Sequence, residues 1–302
     1  MKTLVGQIQG FMGALILSGG GLVMPATGLL LLVERPAIAE ARSAEDVVNQ
    51  GLQYIQQGKL DQAIAAFRQA AQINPRLAPA HYNLGLALRQ QGQLQPSATA
   101  FYQATQADPS FALAYANLGA ALLEGSNIAQ AKDYLKRAIE LDSKLGLAHY
   151  NLGLALEQQG DFGGAISAFR KAAALNPAAP EPVYHVGMSY LQQRNLKEAR
   201  AAFEQAIKLR PNYAEAHYNV GSILFSQSDL EGALKAFRRS TQANSNYANS
   251  YYAAGLVFLR QSKLADAQKV LQYARDLYKA QGNGQWTAKA EEQLQKARSG
   301  QR

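Results

Sequence analysis

The stretch AHYNLGLALRQQG at residues 80–92 returns as AHYNLGLALEQQG at residues 148–160, altered only at Arg89 and Glu157. A looser copy, AHYNVGSIL, begins at Ala216. Successive copies are 68 residues apart, and a smaller step divides that interval. Gly51, Gly85, Gly119, Gly153, Gly187, Gly221 and Gly255 follow one another every 34 residues without insertion. Setting this glycine as position 8 starts seven units at Ala44, Ala78, Ala112, Gly146, Pro180, Ala214 and Ala248.

Other columns keep the same phase. Position 20 is alanine in six units and Ser97 in the other; position 24 is Phe67, Phe101, Leu135, Phe169, Phe203, Phe237 and Leu271. Positions 4, 7, 8 and 11 share one face of a helix, and positions 17, 20, 24 and 27 share one face of a second. A glycine inside a helix costs about 1 kcal/mol against alanine. Its return seven times predicts a close approach by the partner helix, with the alanine at position 20 facing it. Gly58, Gly92 and Gly160 supply the turn between the helices in three units, and Pro75, Pro109, Pro177 and Pro211 stop the second helix in four. One such hairpin cannot bury its own apolar face, so the units must stack.

These columns resemble the tetratricopeptide repeat, over residues 44–281. The resemblance implies an all-α, right-handed superhelical solenoid of antiparallel helix pairs. Residues 282–302 then read as a capping helix and tail, with Trp286, Ala290, Leu294 and Ala297 on one face. The sequence departs from the family at position 4, where tryptophan is common and Val47, His81, Tyr115, His149, Val183, His217 and Tyr251 stand instead.

In such arrays the first helices line the concave surface, which makes the far side of each first helix the candidate binding face. It is patterned here. Position 6 holds Asn49, Asn83, Asn117, Asn151, His185 and Asn219, and position 9 includes Leu86 and Leu154; position 5, on the flank, holds Tyr82, Tyr150, Tyr184, Tyr218 and Tyr252. An asparagine amide both donates and accepts, so a row of them can pair with the main chain of an extended peptide. Tyrosine adds contact area and a hydroxyl. The competing reading is that these amides bridge neighbouring helices. The asparagine row is similar to that in the repeat region of O-linked N-acetylglucosamine transferases, whose catalytic region has no counterpart in this sequence. No lysine or arginine occupies position 2 or 6, so the clamp by which some family members hold a C-terminal carboxylate is absent.

Nothing in the sequence composes a catalytic site. The chain has no cysteine, hence no disulfide, thiolate metal site or cysteine nucleophile. His81, His149 and His217 occupy the core-facing position 4 of alternate units, and no metal-ligand spacing is present. We expect no enzyme activity, cofactor, metal or small-molecule substrate. The formal charge is +8, with acids and bases balanced from residue 44 to 179 and the excess towards the C-terminal end. Basic residues gather at positions 25 and 26: Arg68, Lys136, Arg137, Arg170, Lys171, Arg238 and Arg239. They read as a solvated outer face.

Residues 11–33 contain no charge, follow Lys2, and precede the small-residue pattern Ala37-Ile38-Ala39. Residues 1–39 therefore read as an export signal cleaved after Ala39, or as an uncleaved membrane anchor. Residues 40–43 form a short linker. The expectation is an exported, non-catalytic scaffold that holds a peptide or partner helix in assembling an envelope or membrane complex. A cytoplasmic RNA-binding or regulatory repeat adaptor, or the non-catalytic part of a transferase complex, is the alternative. The groove is not basic, which argues against nucleic acid.

Overall fold

The computed structural model describes residues 42–300. The segment read as a signal or anchor, with its residues 11–33, lies outside them. Among the described residues there are fifteen helices and no strand. The first unit of sequence forms α1 (Ala44–Gln56) and α2 (Leu60–Ile73). Then follow α3 (Ala78–Gln90), α4 (Leu94–Ala107), α5 (Ala112–Glu124), α6 (Ile128–Leu141), α7 (Gly146–Gln158) and α8 (Phe162–Leu175). The series continues with α9 (Pro180–Gln192), α10 (Leu196–Leu209), α11 (Ala214–Ser226), α12 (Leu230–Ala243), α13 (Ala248–Arg260), α14 (Leu264–Ala280) and α15 (Gly284–Ser299). Every odd-numbered helix up to α13 starts at position 1 of its unit, and every even-numbered one starts at position 17. None of the helices is long and apolar enough to cross a membrane.

Backbone proximity divides the chain between Asn151 and Leu152 into two compact bodies. In the first, α1 packs on α2, α3 on α4 and α5 on α6, and each pair leans on the next. The second repeats this with α9 on α10, α11 on α12 and α13 on α14, and α15 closes over α14 as the cap. The cap buries Ala290, Leu294 and Ala297. Trp286 lies partly exposed, stacked on Tyr278 at 5.7 Å.

The glycine column has a sharper cause than the one read from the sequence. A Cβ added at Gly51, Gly85, Gly153, Gly187 or Gly221 would stand 2.4–2.7 Å from the position-24 phenylalanine ring of the same unit. At Gly119 and Gly255 the obstacle is Leu135 or Leu271, at 2.5 Å. The close neighbour is thus the position-24 side chain rather than the alanine at position 20. All seven position-24 side chains are buried to 1 % exposure or less. The ring fills the hollow that the missing methyl leaves, which joins the two helices of each hairpin.

Position 15 terminates every first helix. Gly58, Gly92, Ser126, Gly160, Arg194, Ser228 and Ser262 all have φ between 58° and 81°. The amide of the next residue closes the turn onto a carbonyl five residues back, as in Lys59 N–H to Tyr54 O at 2.8 Å and Asn195 N–H to Tyr190 O at 2.9 Å. This is the left-handed cap that favours glycine; four units build it from other residues. The second helices end on an Asx turn as well as on proline: Asn74, Asp108, Asp142 and Asn244 each accept the amide two residues on, at 2.9–3.0 Å.

Candidate functional site

Three of the four histidines bind main-chain carbonyls. Nε2 of His81 lies 2.9 Å from Pro75 O, that of His149 3.0 Å from Ser143 O, and that of His217 2.8 Å from Pro211 O. A carbonyl only accepts, so Nε2 carries the proton and donates. Each ring therefore ties the start of its first helix to the loop that ends the preceding unit. Among the described residues no group of three or more carboxylates and histidines is placed to hold a metal ion.

The asparagine and tyrosine columns meet across repeats. Asn117 Nδ2 donates to Tyr82 Oη at 3.3 Å and to Leu113 O at 2.9 Å. Asn219 Nδ2 donates to Tyr184 Oη at 3.1 Å and lies 3.6 Å from Met188 Sδ. In both pairs the tyrosine is position 5 of one unit and the asparagine position 6 of the next, 35 residues on. Burial pushes the Tyr82 hydroxyl up to about 12, and raises that of Tyr184 further. Rings of the same unit hold each tyrosine: Phe101 and Phe111 lie 5.8 and 4.9 Å from Tyr82, and Phe203 and Tyr213 lie 5.4 and 4.9 Å from Tyr184.

Where position 5 is not tyrosine, the following asparagine lacks this bond. Val48 precedes Asn83, which is 1 % exposed with neither amide atom hydrogen-bonded. Ala116 precedes Asn151, which is 6 % exposed with Nδ2 unbonded. An unpaired buried polar group of this kind costs about 1–3 kcal/mol. The named residues thus fall into two sets. Tyr82, Asn83, Asn117, Asn151, Tyr184 and Asn219 are buried beneath the surface of their helices. Leu86, Tyr150, Leu154, His185, Tyr218 and Tyr252 are partly exposed.

His185 replaces asparagine in its column, and its Nδ1 lies 2.9 Å from Glu157 Oε2. Ser189 Oγ donates to the other carboxylate oxygen at 3.2 Å, and Phe169 stacks on the imidazole at 5.0 Å. In the first body a charged link joins α3 to α5, with Arg89 Nε donating to Glu124 Oε1 at 3.1 Å. Column-by-column reading of the sequence missed these links. Position 5 of one unit had to be read against position 6 of the next, and position 12 against positions 6 and 13, to find them.

Models of the tetratricopeptide repeat match residues 116–180 and 187–248, residues 51–92, and residues 78–111. The chain belongs to the tetratricopeptide repeat family, and no catalytic family is indicated. Among curated proteins no sequence matches. Solved structures resemble the fold widely. The Cut9–Hcn1 hetero-tetramer of the APC/C gives a TM-score of 0.62 at 19% identity, over 72% of this chain and 43% of that one. The chain thus spans less than half the length of that relative. A tetratricopeptide repeat protein from Parabacteroides merdae gives 0.62 at 18% identity, over 84% and 98% of the two chains. YrrB, described as a TPR protein with an unusual peptide-binding site, gives 0.51 at 24% identity, over 65% and 99%.

Proposed function

We propose that the chain is a non-catalytic protein-interaction scaffold that holds an extended peptide or a partner helix against its first helices. One observation carries this reading: partly exposed Leu86 and Tyr218 stand on first helices, α3 and α11, that buried Tyr–Asn hydrogen bonds fix to a neighbouring first helix, and Leu154 and Tyr252 are likewise partly exposed on α7 and α13. Large side chains on a fixed frame lose little freedom when a partner arrives, which favours binding. In this reading Tyr150 and His185 also meet the partner. Asn117 and Asn219 stay engaged with tyrosine, and Asn83 and Asn151 are the rungs left to pair with a ligand main chain once they turn outward. The peptide-binding site described for YrrB makes an extended peptide a natural occupant. The uncharged residues 11–33 and the Ala37-Ile38-Ala39 pattern support an exported or membrane-tethered setting, in assembling an envelope complex.

The test is selection of a binding peptide from a random library, followed by calorimetry on variants that keep their helical circular dichroism. Leu154→Arg and Tyr218→Ala should each weaken the peptide about tenfold, a loss of about 1.4 kcal/mol. Lys171→Ala, on a second helix, should leave it unchanged. The reverse pattern would refute the assignment of the face.

A further inference from the structure

We infer that the second helices of each body form a docking surface for anionic lipid headgroups. The inference goes beyond the peptide-holding role and concerns the opposite kind of helix.

Charge is unevenly divided between the two helices of each hairpin. First helices carry Glu45, Asp46, Glu124, Glu157, Glu181 and Glu215 against only Arg89 and Arg260. Second helices carry the basic excess, and it lies in phase. In the first body Arg68, Lys136 and Arg137 are exposed at positions 25 and 26; in the second body Arg170, Lys171, Arg238 and Arg239 are. The only acid in those two columns is Glu204, which pairs with Arg200 at 2.7 Å. Among the described residues Lys136, Lys171, Arg238 and Arg239 form no ion pair. Their charge is thus free to act on a partner.

A second observation separates a bilayer from other anions. Among the described residues all four exposed large apolar side chains are on second helices: Ile73 (48 % exposed), Tyr102 (45 %), Leu209 (38 %) and Tyr273 (46 %). Tyr102 and Tyr273 occupy positions 25 and 26, where other units place a base. Ile73 and Leu209 occupy position 30, one turn beyond position 26 and therefore on the same face. Position 30 is apolar in every unit. Basic side chains followed one turn later by aliphatic ones, with tyrosines in the same row, match the boundary between headgroups and acyl chains. Isoleucine and leucine would find nothing to bury against on a phosphodiester backbone, which sets a lipid surface ahead of a nucleic acid.

The experiment uses the full chain and two kinds of vesicle, phosphatidylcholine alone and phosphatidylcholine with phosphatidylserine. It compares the native sequence with a variant carrying Lys136→Gln, Arg137→Gln, Arg170→Gln, Lys171→Gln, Arg238→Gln and Arg239→Gln. These six side chains are exposed, so circular dichroism should be unchanged. We expect the variant to bind phosphatidylserine vesicles about a hundredfold more weakly, as if half of the six reach headgroups. Raised salt should weaken the native chain in the same way. Binding through residues 11–33 would be common to both proteins and to both vesicles. Equal binding of the two proteins to phosphatidylserine vesicles would overturn the inference. So would a native chain indifferent to phosphatidylserine, or one that binds an oligonucleotide more tightly than the vesicles.

Discussion

Replacing Gly85 by alanine should destabilise the protein, although alanine is the better helix former. Alanine in a helix interior gains about 1 kcal/mol over glycine. Against that, the new Cβ would lie 2.6 Å from Phe101 Cε1, 2.7 Å from Cδ1 and 3.0 Å from Cγ. The ring cannot step aside cheaply: Phe101 is fully buried, with the Tyr82 ring 5.8 Å away. Forcing a methyl into a filled core costs about 1–3 kcal/mol, and three atoms this close belong at the upper end. The expected net loss is about 1–2 kcal/mol, as the difference of those two effects. Urea unfolding followed at 222 nm reads it as a lower midpoint with unchanged slope. A double-mutant cycle isolates the cause. In a Phe101→Ala background the ring is gone, and Gly85→Ala should then stabilise by about the helix term of 1 kcal/mol. The reasoning fails if Gly85→Ala is neutral or stabilising in the native background, or if its cost survives removal of Phe101.

The two kinds of asparagine should part company: Asn83→Leu should raise stability by about 1 kcal/mol by removing an unpaired buried amide, and Asn117→Leu should lower it by a similar amount, both read from urea midpoints. Arg194→Gly should stabilise by about 1 kcal/mol in the same assay, because its φ of 60° is left-handed and glycine adopts it without strain. Alkali should unfold the chain through its buried phenols. Tyr82 and Tyr247 are each raised from 10.0 to about 12, chiefly by burial, so the folded state holds these protons more tightly. Their contribution is complete below about pH 10 and is lost as pH rises towards about 12. Tyrosinate absorbance at 295 nm should appear together with loss of helical signal over that range.

The hairpin frame was legible in the sequence because a 34-residue step repeated seven times leaves little freedom in phase. Gly85 and Phe101 both stood out as columns, but only the packed hairpin shows that one fills the hollow of the other. Turns were half visible. Gly58, Gly92 and Gly160 announced a left-handed residue, whereas Ser126, Arg194, Ser228 and Ser262 adopt the same conformation without the residue type that marks it. The candidate face was the hardest part. A helical wheel places Asn83 away from its own hairpin and Tyr82 on the flank, but knows nothing of the next hairpin, which covers the wheel's polar side. Burial of Asn117 beside Tyr82 is therefore a property of stacking, legible only when the columns of adjacent units are compared.

The Tyr–Asn pairs also say something about how the chain can be shortened. Both join residues 35 apart, one repeat plus one position. Excising residues 112–145 as a block would remove Ala116 and leave Tyr82 facing Asn151 at that same separation. The deletion would supply the amide of Asn151 with the hydroxyl it lacks. Length in this protein is thus counted in whole repeats, and a gene that loses one can repair a bond as it does so.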